Sequence, residues 1–177
     1  MDPFWAKSPW TLALQGKKVL VIHPFSELIE AQYYNKRRLL FQNKDILPEF
    51  DLKTIKAVQS LGGNCPYYST WFEAFDAMKK QIAQCDFDIC LLGCGAYGLP
   101  LAAYIKSIGK KAFHIGGSLQ LLFGIIGKRW ENPQYAIKAK TVCPQLNYLS
   151  LINEYWVRPG ENNKSKNSHN VENGCYW

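Results

Sequence analysis

Two glycine-rich segments carry the residue types that could bind a ligand. Residues 93–98 fit the pattern Gly-x-Gly-x-x-Gly, between an apolar run and a helical pattern. In that context main-chain amides can approach a phosphate without a Cβ in the way, and the helix N-terminus favours negative charge. The motif predicts a pyrophosphate-binding turn, and the alternative is that its glycines allow only a tight turn and close strand–helix packing. The predicted ligand-binding residues here are Gly93, Gly95, Tyr97 and Gly98.

The second segment, residues 114–118, also follows an apolar run. Its glycine amides and Ser118 could hold a second anionic or hydroxyl group. His114 opens this segment, and His23 ends an earlier apolar run. A neutral imidazole at either place could act as a base, so both are candidate catalytic residues, although either could be a structural histidine. The remaining predicted ligand-binding residues of the strand ends are Ser26, Gly116, Gly117, Ser118 and Gln120.

A third group follows the second glycine segment. Lys128 and Arg129 precede Trp130, a combination that could clamp a diphosphate while the indole stacks on a base or a sugar, or that could form an ordinary surface turn. A conventional nicotinamide enzyme also needs an acidic residue at the end of the strand that follows the glycine motif, to hold the ribose hydroxyls. No acid stands there, which argues against a conventional dinucleotide enzyme.

These residues must be positioned by alternating strands and helices. Strands are predicted over 17–23, 52–60, 87–92 and 111–115, and helices over 26–42, 71–82, 100–108 and 119–126. Thr70 and Glu73 form a capping box at the start of the second helix, and Ser118 is predicted to cap the fourth. Strands that alternate with helices specify a mainly parallel sheet, so we predict an α/β fold, a Rossmann-like three-layer sandwich.

Length and composition set further bounds. The 177 residues carry 21 Lys and Arg against 14 Asp and Glu, a net charge of +7. The basic clusters do not alternate with aromatic residues along a face, so no nucleic-acid partner is expected. The six cysteines lack a Cys-x-x-Cys pair, which argues against zinc or a disulfide framework. No transmembrane segment or secretory signal is recognisable, and we expect a cytoplasmic protein with a domain over 8–158 and a polar tail over 159–177.

Three stretches, residues 16–25, 88–102 and 111–125, resemble the GT-D-like domains of bacterial surface-glycan loci. The likeness covers about residues 8–132, the Rossmann-like half of that domain. Such domains are similar to GT-D glycosyltransferases, which transfer a sugar from a nucleotide diphosphate donor with a divalent metal held by an Asp-x-Glu pair. At the corresponding place this chain has Ser118-Leu119-Gln120, and it has no Gly-Asp-Gly-Glu-like stretch.

The resemblance implies binding of a nucleotide diphosphate sugar and transfer of the sugar in cell-surface glycan synthesis. Without the acidic pair, the chain could be a donor-binding remnant, a shortened copy, or an enzyme that stabilises the leaving diphosphate with Lys128, Arg129 and helix amides. One alternative is a non-catalytic partner of a glycosyltransferase, which docks through aromatic residues near its C-terminus. Another is a nucleotide-dependent oxidoreductase. The residues identify no cofactor. The aromatic residues of the docking alternative are Tyr148, Tyr155, Trp156, Tyr176 and Trp177.

Overall fold

Four parallel strands form one sheet in the computed structural model, which describes residues 2–60, 65, 67–132 and 147–177. The strands are β1 (Lys18–His23), β2 (Asp51–Lys56), β3 (Ile89–Leu92) and β4 (Lys111–His114). Their order in the sheet is β2-β1-β3-β4. In the register, Val19 of β1 lies opposite Leu52 of β2 and Ile89 of β3. All four predicted strands are therefore present. β1, β3 and β4 are one or two residues shorter than predicted, whereas β2 begins one residue earlier, at Asp51, and ends at Lys56 instead of residue 60.

Helices connect the strands and flank the sheet. They are α1 (Ser26–Leu40), α2 (Trp71–Ala83), α3 (Gly98–Ser107), α4 (Leu119–Leu122) and α5 (Lys128–Glu131). The capping box of α2 is confirmed, because Thr70 Oγ1 accepts a hydrogen bond from the N–H of Glu73 at 3.1 Å. The Glu73 carboxylate reaches back one residue further than expected and accepts from the N–H of Ser69.

The prediction for the fourth helix is correct for burial and wrong for length. Residues 119–126 are all buried, but α4 ends at Leu122 because Gly124 takes a left-handed conformation with a φ of +67°. Ser118 does not cap this helix: it lies in a 3-10 turn and makes no side-chain cap hydrogen bond.

Two apolar layers sandwich the sheet. Val19 and Val21 of β1 face α1 and the C-terminal part of the chain, whereas Leu20 and Ile22 face α2 and α3. This alternation is the period of two that a strand imposes, with both faces covered as a parallel sheet requires. The fold is thus the predicted Rossmann-like α/β sandwich. Within the described residues, no helix is long and apolar enough to cross a membrane.

The chain after residue 147 packs on the first layer and then returns to the sheet edge. Trp156 is buried in that layer, with its indole N–H donating to the carbonyl of Leu40. Residues 161–174 follow as short 3-10 turns, in which Ser168 is buried although most side chains are exposed or half-buried. Residues 175–177 pack on the domain through the contacts described below. The aromatic residues of the docking alternative all take part in packing within this chain.

Candidate functional site

A cavity of about 420 Å³ lies at the edge of the sheet where the strands end. The strand order reverses between β1 and β3, and in open parallel sheets ligands bind in the crevice at such a reversal. Segments that follow all four strands line the cavity, together with residues near the C-terminus. Its volume falls within the range of roughly 300–1,000 Å³ that is common for small-molecule sites.

Eight of the thirteen predicted site residues line this cavity: His23, Gly93, Gly95, Tyr97, His114, Gly116, Gly117 and Gln120. The other five, Ser26, Gly98, Ser118, Lys128 and Arg129, do not. Ser26 is buried in the first turn of α1, and Ser118 is half-buried in its 3-10 turn. Prediction from strand ends was therefore effective for the walls of the cavity and less so for residues that flank it.

His23 is a buried, neutral hydrogen-bond donor. Its Nδ1 accepts a hydrogen bond from the N–H of Phe25 at 3.0 Å, so the proton of the neutral ring is on Nε2. Burial lowers the pKa of His23 to about 3, because the charged ring cannot be solvated there. Since Nδ1 is occupied and the ring resists protonation, His23 can donate to a ligand through Nε2 but is poorly suited to act as a base.

His114 has the opposite tautomer. Its Nδ1 lies 3.2 Å from the carbonyl oxygen of Leu92, which can only accept, so Nδ1 carries the proton and Nε2 is the accepting nitrogen. The ring lies against Gly98, where a Cβ would come within 2.2 Å of Cε1. Gly98 therefore makes room for His114 and does not itself line the cavity. Of the two histidines, His114 is the one whose free nitrogen can accept a proton.

The glycines of the two segments fall into two groups. A Cβ on Gly93 would lie 2.6 Å from Cδ2 of His23, and one on Gly117 would lie 2.0 Å from Cε1 of Tyr176, so these glycines permit close packing. Gly95 and Gly116 instead have left-handed backbones, and nothing lies within 4 Å of an added Cβ. Within the Gly-x-Gly-x-x-Gly motif, the alternative of close packing therefore holds for Gly93. At Gly95, and at Gly116 of the second segment, the backbone is open to the cavity.

Both open turns present main-chain donors. In the described part of the chain, the N–H groups of Gly95, Ala96, Gly116 and Gly117 make no hydrogen bond to a main-chain or side-chain acceptor. Each turn is the start of a 3-10 helix, whose first N–H groups have no partner inside the helix. These donors can serve hydroxyl or phosphoryl oxygens of a ligand.

Gln120 contributes a buried acceptor without a partner. Its side chain is almost fully buried, and its amide nitrogen donates to the carbonyls of Ile125 and Tyr176 at 3.3 and 3.2 Å. Two carbonyls on one side fix the amide orientation, and Oε1 then has no hydrogen bond. Buried acceptors are nearly always paired, so this one can take a donor from a ligand once the atoms that cover Oε1 move aside.

The C-terminal residues form an aromatic wall on one side of the cavity. The Trp177 ring packs edge-on against Phe25, and its indole N–H donates to the carbonyl of Asn163. Tyr176 packs on Gly117, and its hydroxyl accepts a hydrogen bond from Arg129 at 2.8 Å. The N–H of Arg129 donates to the carbonyl of Cys175. Arg129 thus holds the wall in place instead of reaching a diphosphate, and Lys128 is exposed beside it.

Several cavity residues escaped prediction because their contacts are long-range. Ser60 follows β2, and its Oγ lies 2.6 Å from the hydroxyl of Tyr97. The Tyr97 ring is in turn stacked on Trp71, at 5.0 Å between centroids. A polar residue just beyond β2 was a usable signal for Ser60. Phe25 likewise follows the end of β1, whereas no local pattern marked Val171 or Trp177 as wall residues.

Charge is missing from the cavity wall. Among the described residues that line it, none is Lys, Arg, Asp or Glu. Burial also raises the pKa of the Cys94 thiol to about 12 and that of Cys90 well above its usual range, so neither thiol is a nucleophile at neutral pH. The cavity is consequently a neutral site with polar donors and acceptors at fixed places.

The donor set does not fit the divalent metal that the resemblance implies. Ser118, Leu119 and Gln120 offer no carboxylate, and the described part of the chain contains no group of three or more His, Cys, Asp or Glu side chains that could hold a metal. Of the cysteines, Cys143 lies outside the described residues, and Cys65, Cys85, Cys90 and Cys94 are free thiols.

Comparisons of the chain with known protein families, with curated proteins and with solved structures found no match. The resemblance to GT-D-like domains therefore stays a prediction, and the function has to be argued from the cavity itself.

Proposed function

We propose that this domain binds a nucleotide-linked sugar at the cavity, with the uncharged sugar or nucleoside part of the ligand inside it. The observation that carries the proposal is a neutral cavity at the reversal of strand order, whose wall includes Gln120 with its covered and unpaired acceptor Oε1. A hydroxyl or an N–H of the ligand would satisfy this acceptor. An ionised phosphate could not, because it has no proton to donate.

Further donors and acceptors support the same ligand class. Nε2–H of His23 and the N–H groups of Gly95 and Gly116 offer donors to hydroxyl, carbonyl or phosphoryl oxygens. The rings of Tyr176 and Trp177 supply an apolar wall, on which a sugar face or a planar base can pack. Sugars and nucleosides combine such faces with several hydroxyl groups, which matches a wall of aromatic rings interrupted by polar atoms.

The test is calorimetric titration of the full chain with nucleosides, nucleoside diphosphates, nucleoside diphosphate sugars, free sugars and NAD. We expect heat from one nucleoside series and tighter binding of its sugar conjugate than of NAD. In Ala96→Trp a large ring would fill the cavity, and binding should be lost. Ala103→Trp is the matched control, because Ala103 is exposed on α3 and does not line the cavity. Absence of heat with every compound, or equal binding by both variants, would overturn the proposal.

A second candidate function is sugar transfer, which the tautomer of His114 favours. With Nδ1–H bonded to Leu92, Nε2 of His114 can take the proton of an acceptor hydroxyl as its oxygen bonds to the anomeric carbon. The bond from that carbon to the phosphate oxygen breaks, and the electron pair leaves with the diphosphate. Open main-chain amides, such as that of Gly95, can stabilise the developing negative charge.

Transfer and simple binding differ in turnover. Donor consumption would be followed with and without Mn²⁺, since the residues present do not fit the expected metal site. A general base typically contributes ~10²–10⁴-fold, so His114→Asn should reduce turnover by at least about 100-fold. His169→Asn, at an exposed position outside the cavity, should leave it unchanged. A domain that binds the donor but never consumes it would be a binding module, and the transfer proposal would fail.

A further inference from the structure

A second cavity of about 310 Å³ adjoins the first on the β2 side. The two share Pro24, Val58 and Gln59 as wall residues, so they are neighbouring parts of one cleft along the sheet edge. The 3-10 turn Glu161–Asn163 links them as well: Asn162 and Asn163 line the second cavity, and the carbonyl of Asn163 holds the indole of Trp177 in the first.

The side chains of the second cavity are of a different kind. Lys56, the last residue of β2, and Lys164 both line it, together with the amide side chains of Gln81, Asn162 and Asn163. Among the described residues that line it there is no carboxylate. The rest of the wall is largely apolar, so the two ammonium groups supply its charge, and oxyanions are the ligands that ammonium groups recognise.

The ion pairs that Lys56 and Lys164 form with nearby carboxylates are weak. Lys56 Nζ lies 3.0 Å from Glu27 Oε1, and Lys164 Nζ lies 3.7 Å from Glu161 Oε1. Both glutamates are highly exposed, with side-chain exposures of 75% and 89%. Exposed ion pairs of this kind contribute little and are screened by salt. An incoming phosphate can therefore take over either lysine.

We propose that this second cavity, named here the lysine cleft, binds the diphosphate group of the ligand whose uncharged part occupies the first cavity. The inference rests on the proposed function for the choice of ligand, and it adds the place of the negative charge. The inference explains why the first cavity needs no cation, because Lys56 and Lys164 in the neighbouring lysine cleft bind the negative charge of the ligand. Lys128 and Arg129 are then not required for binding the diphosphate.

Titration with inorganic pyrophosphate tests the lysine cleft without depending on the nucleoside. The double variant Lys56→Gln/Lys164→Gln should bind pyrophosphate at least tenfold more weakly than the unmodified chain. Binding to the unmodified chain should also weaken as salt is raised. The matched control is Lys106→Gln/Lys111→Gln, which removes two exposed lysines, one in the last turn of α3 and one at the first residue of β4, neither of which lines either cavity. The control should bind pyrophosphate like the unmodified chain.

Parallel titrations with a nucleoside and its diphosphate separate this inference from the proposed function. The lysine cleft is supported if the double variant loses affinity for the diphosphate and keeps its affinity for the nucleoside. It is overturned if pyrophosphate fails to bind the unmodified chain, or binds the double variant and the unmodified chain equally. A nucleoside that fails to bind, while pyrophosphate binding still depends on the two lysines, would instead overturn the proposed function and leave an anion site. Thermal unfolding of each variant confirms that it is folded.

Discussion

Replacing Gln120 by Met separates a role in binding from a role in the fold. Methionine has nearly the same length and volume, so the core around α4 keeps its packing. The substitution removes the unpaired Oε1, and with it the amide nitrogen that donates to Ile125 and Tyr176. Ligand binding and stability then change for different physical reasons, and their magnitudes can be worked out separately.

The stability terms oppose each other. The carbonyls of Ile125 and Tyr176 lose their donor from Gln120, and each carbonyl left unpaired costs about 1–3 kcal/mol. The buried acceptor without a partner costs about 1–3 kcal/mol in the native protein, and that cost disappears in the variant. The free energy of unfolding should therefore fall by no more than about 5 kcal/mol, because two carbonyls lose a donor and one unpaired acceptor is removed.

The effect on binding has one sign. A ligand hydroxyl that donates to Oε1 would lose its partner in a buried place, which costs about 1–3 kcal/mol, or roughly five- to 150-fold in Kd. The matched control is Gln32→Met. Gln32 is also buried, and its amide nitrogen donates to the carbonyl of Tyr155 at 3.0 Å, but it does not line the cavity. Gln32→Met should be destabilising and leave Kd unchanged.

Urea denaturation gives the stabilities, and calorimetry with the nucleotide-linked sugar gives the affinities. The reasoning is refuted if Gln120→Met loses more than about 5 kcal/mol of stability, since the unpaired acceptor would then not carry the stated cost. It is equally refuted if Gln120→Met binds as tightly as the unmodified chain.

Two further predictions concern His23 and Gly117. The pKa of His23 falls from 6.5 to about 3 on folding, so between these pH values the unfolded chain binds one proton more than the folded chain. The free energy of unfolding should therefore fall by about 1.4 kcal/mol per pH unit below pH 6.5, or about 2.7 kcal/mol by pH 4.5. Denaturation across this range should show a shallower slope in His23→Gln, and an unchanged slope in a variant of the exposed His169 would serve as the control. In Gly117→Ala the added Cβ must displace the Tyr176 ring, so we expect a loss of about 1–3 kcal/mol and weaker ligand binding. Gly160→Ala meets no atom within 4 Å and should leave the thermal midpoint and ligand binding nearly unchanged; equal effects of the two alanines would contradict the packing of Tyr176 on Gly117.

The parts of the fold that could be predicted are those encoded by neighbouring residues. The capping box at Thr70 and Glu73 needs only four residues, and its hydrogen bond is present. The apolar run before Gly93 predicted a strand covered on both faces, and Cys90, Leu91 and Leu92 are buried. Because parallel strands end at one edge, the residues just after them could be assigned to one rim before their contacts were known.

Local sequence patterns could not predict contacts between residues that are far apart in the sequence. Lys128 and Arg129 have the composition of a diphosphate clamp, yet Arg129 is hydrogen-bonded to Tyr176, 47 residues further along the chain. The end of α4 depends on Gly124. A Cβ added at this position would lie 2.4 Å from Leu40 Cδ2. In each case the residue type occurs in several environments, and a residue far away in the sequence determines which environment it has in this fold.

The strand order explains why a neutral cavity and a cationic cleft lie side by side. Because β1 is central, its end at His23 is flanked on one side by Gly93 after β3 and on the other by Lys56 at the end of β2. Glycine at the β3 side allows the His23 ring to pack closely, which excludes water and keeps the ring neutral. On the β2 side, Lys56 is exposed and lies beside Glu27. A ligand with a neutral part and an anionic part can therefore span the end of β1.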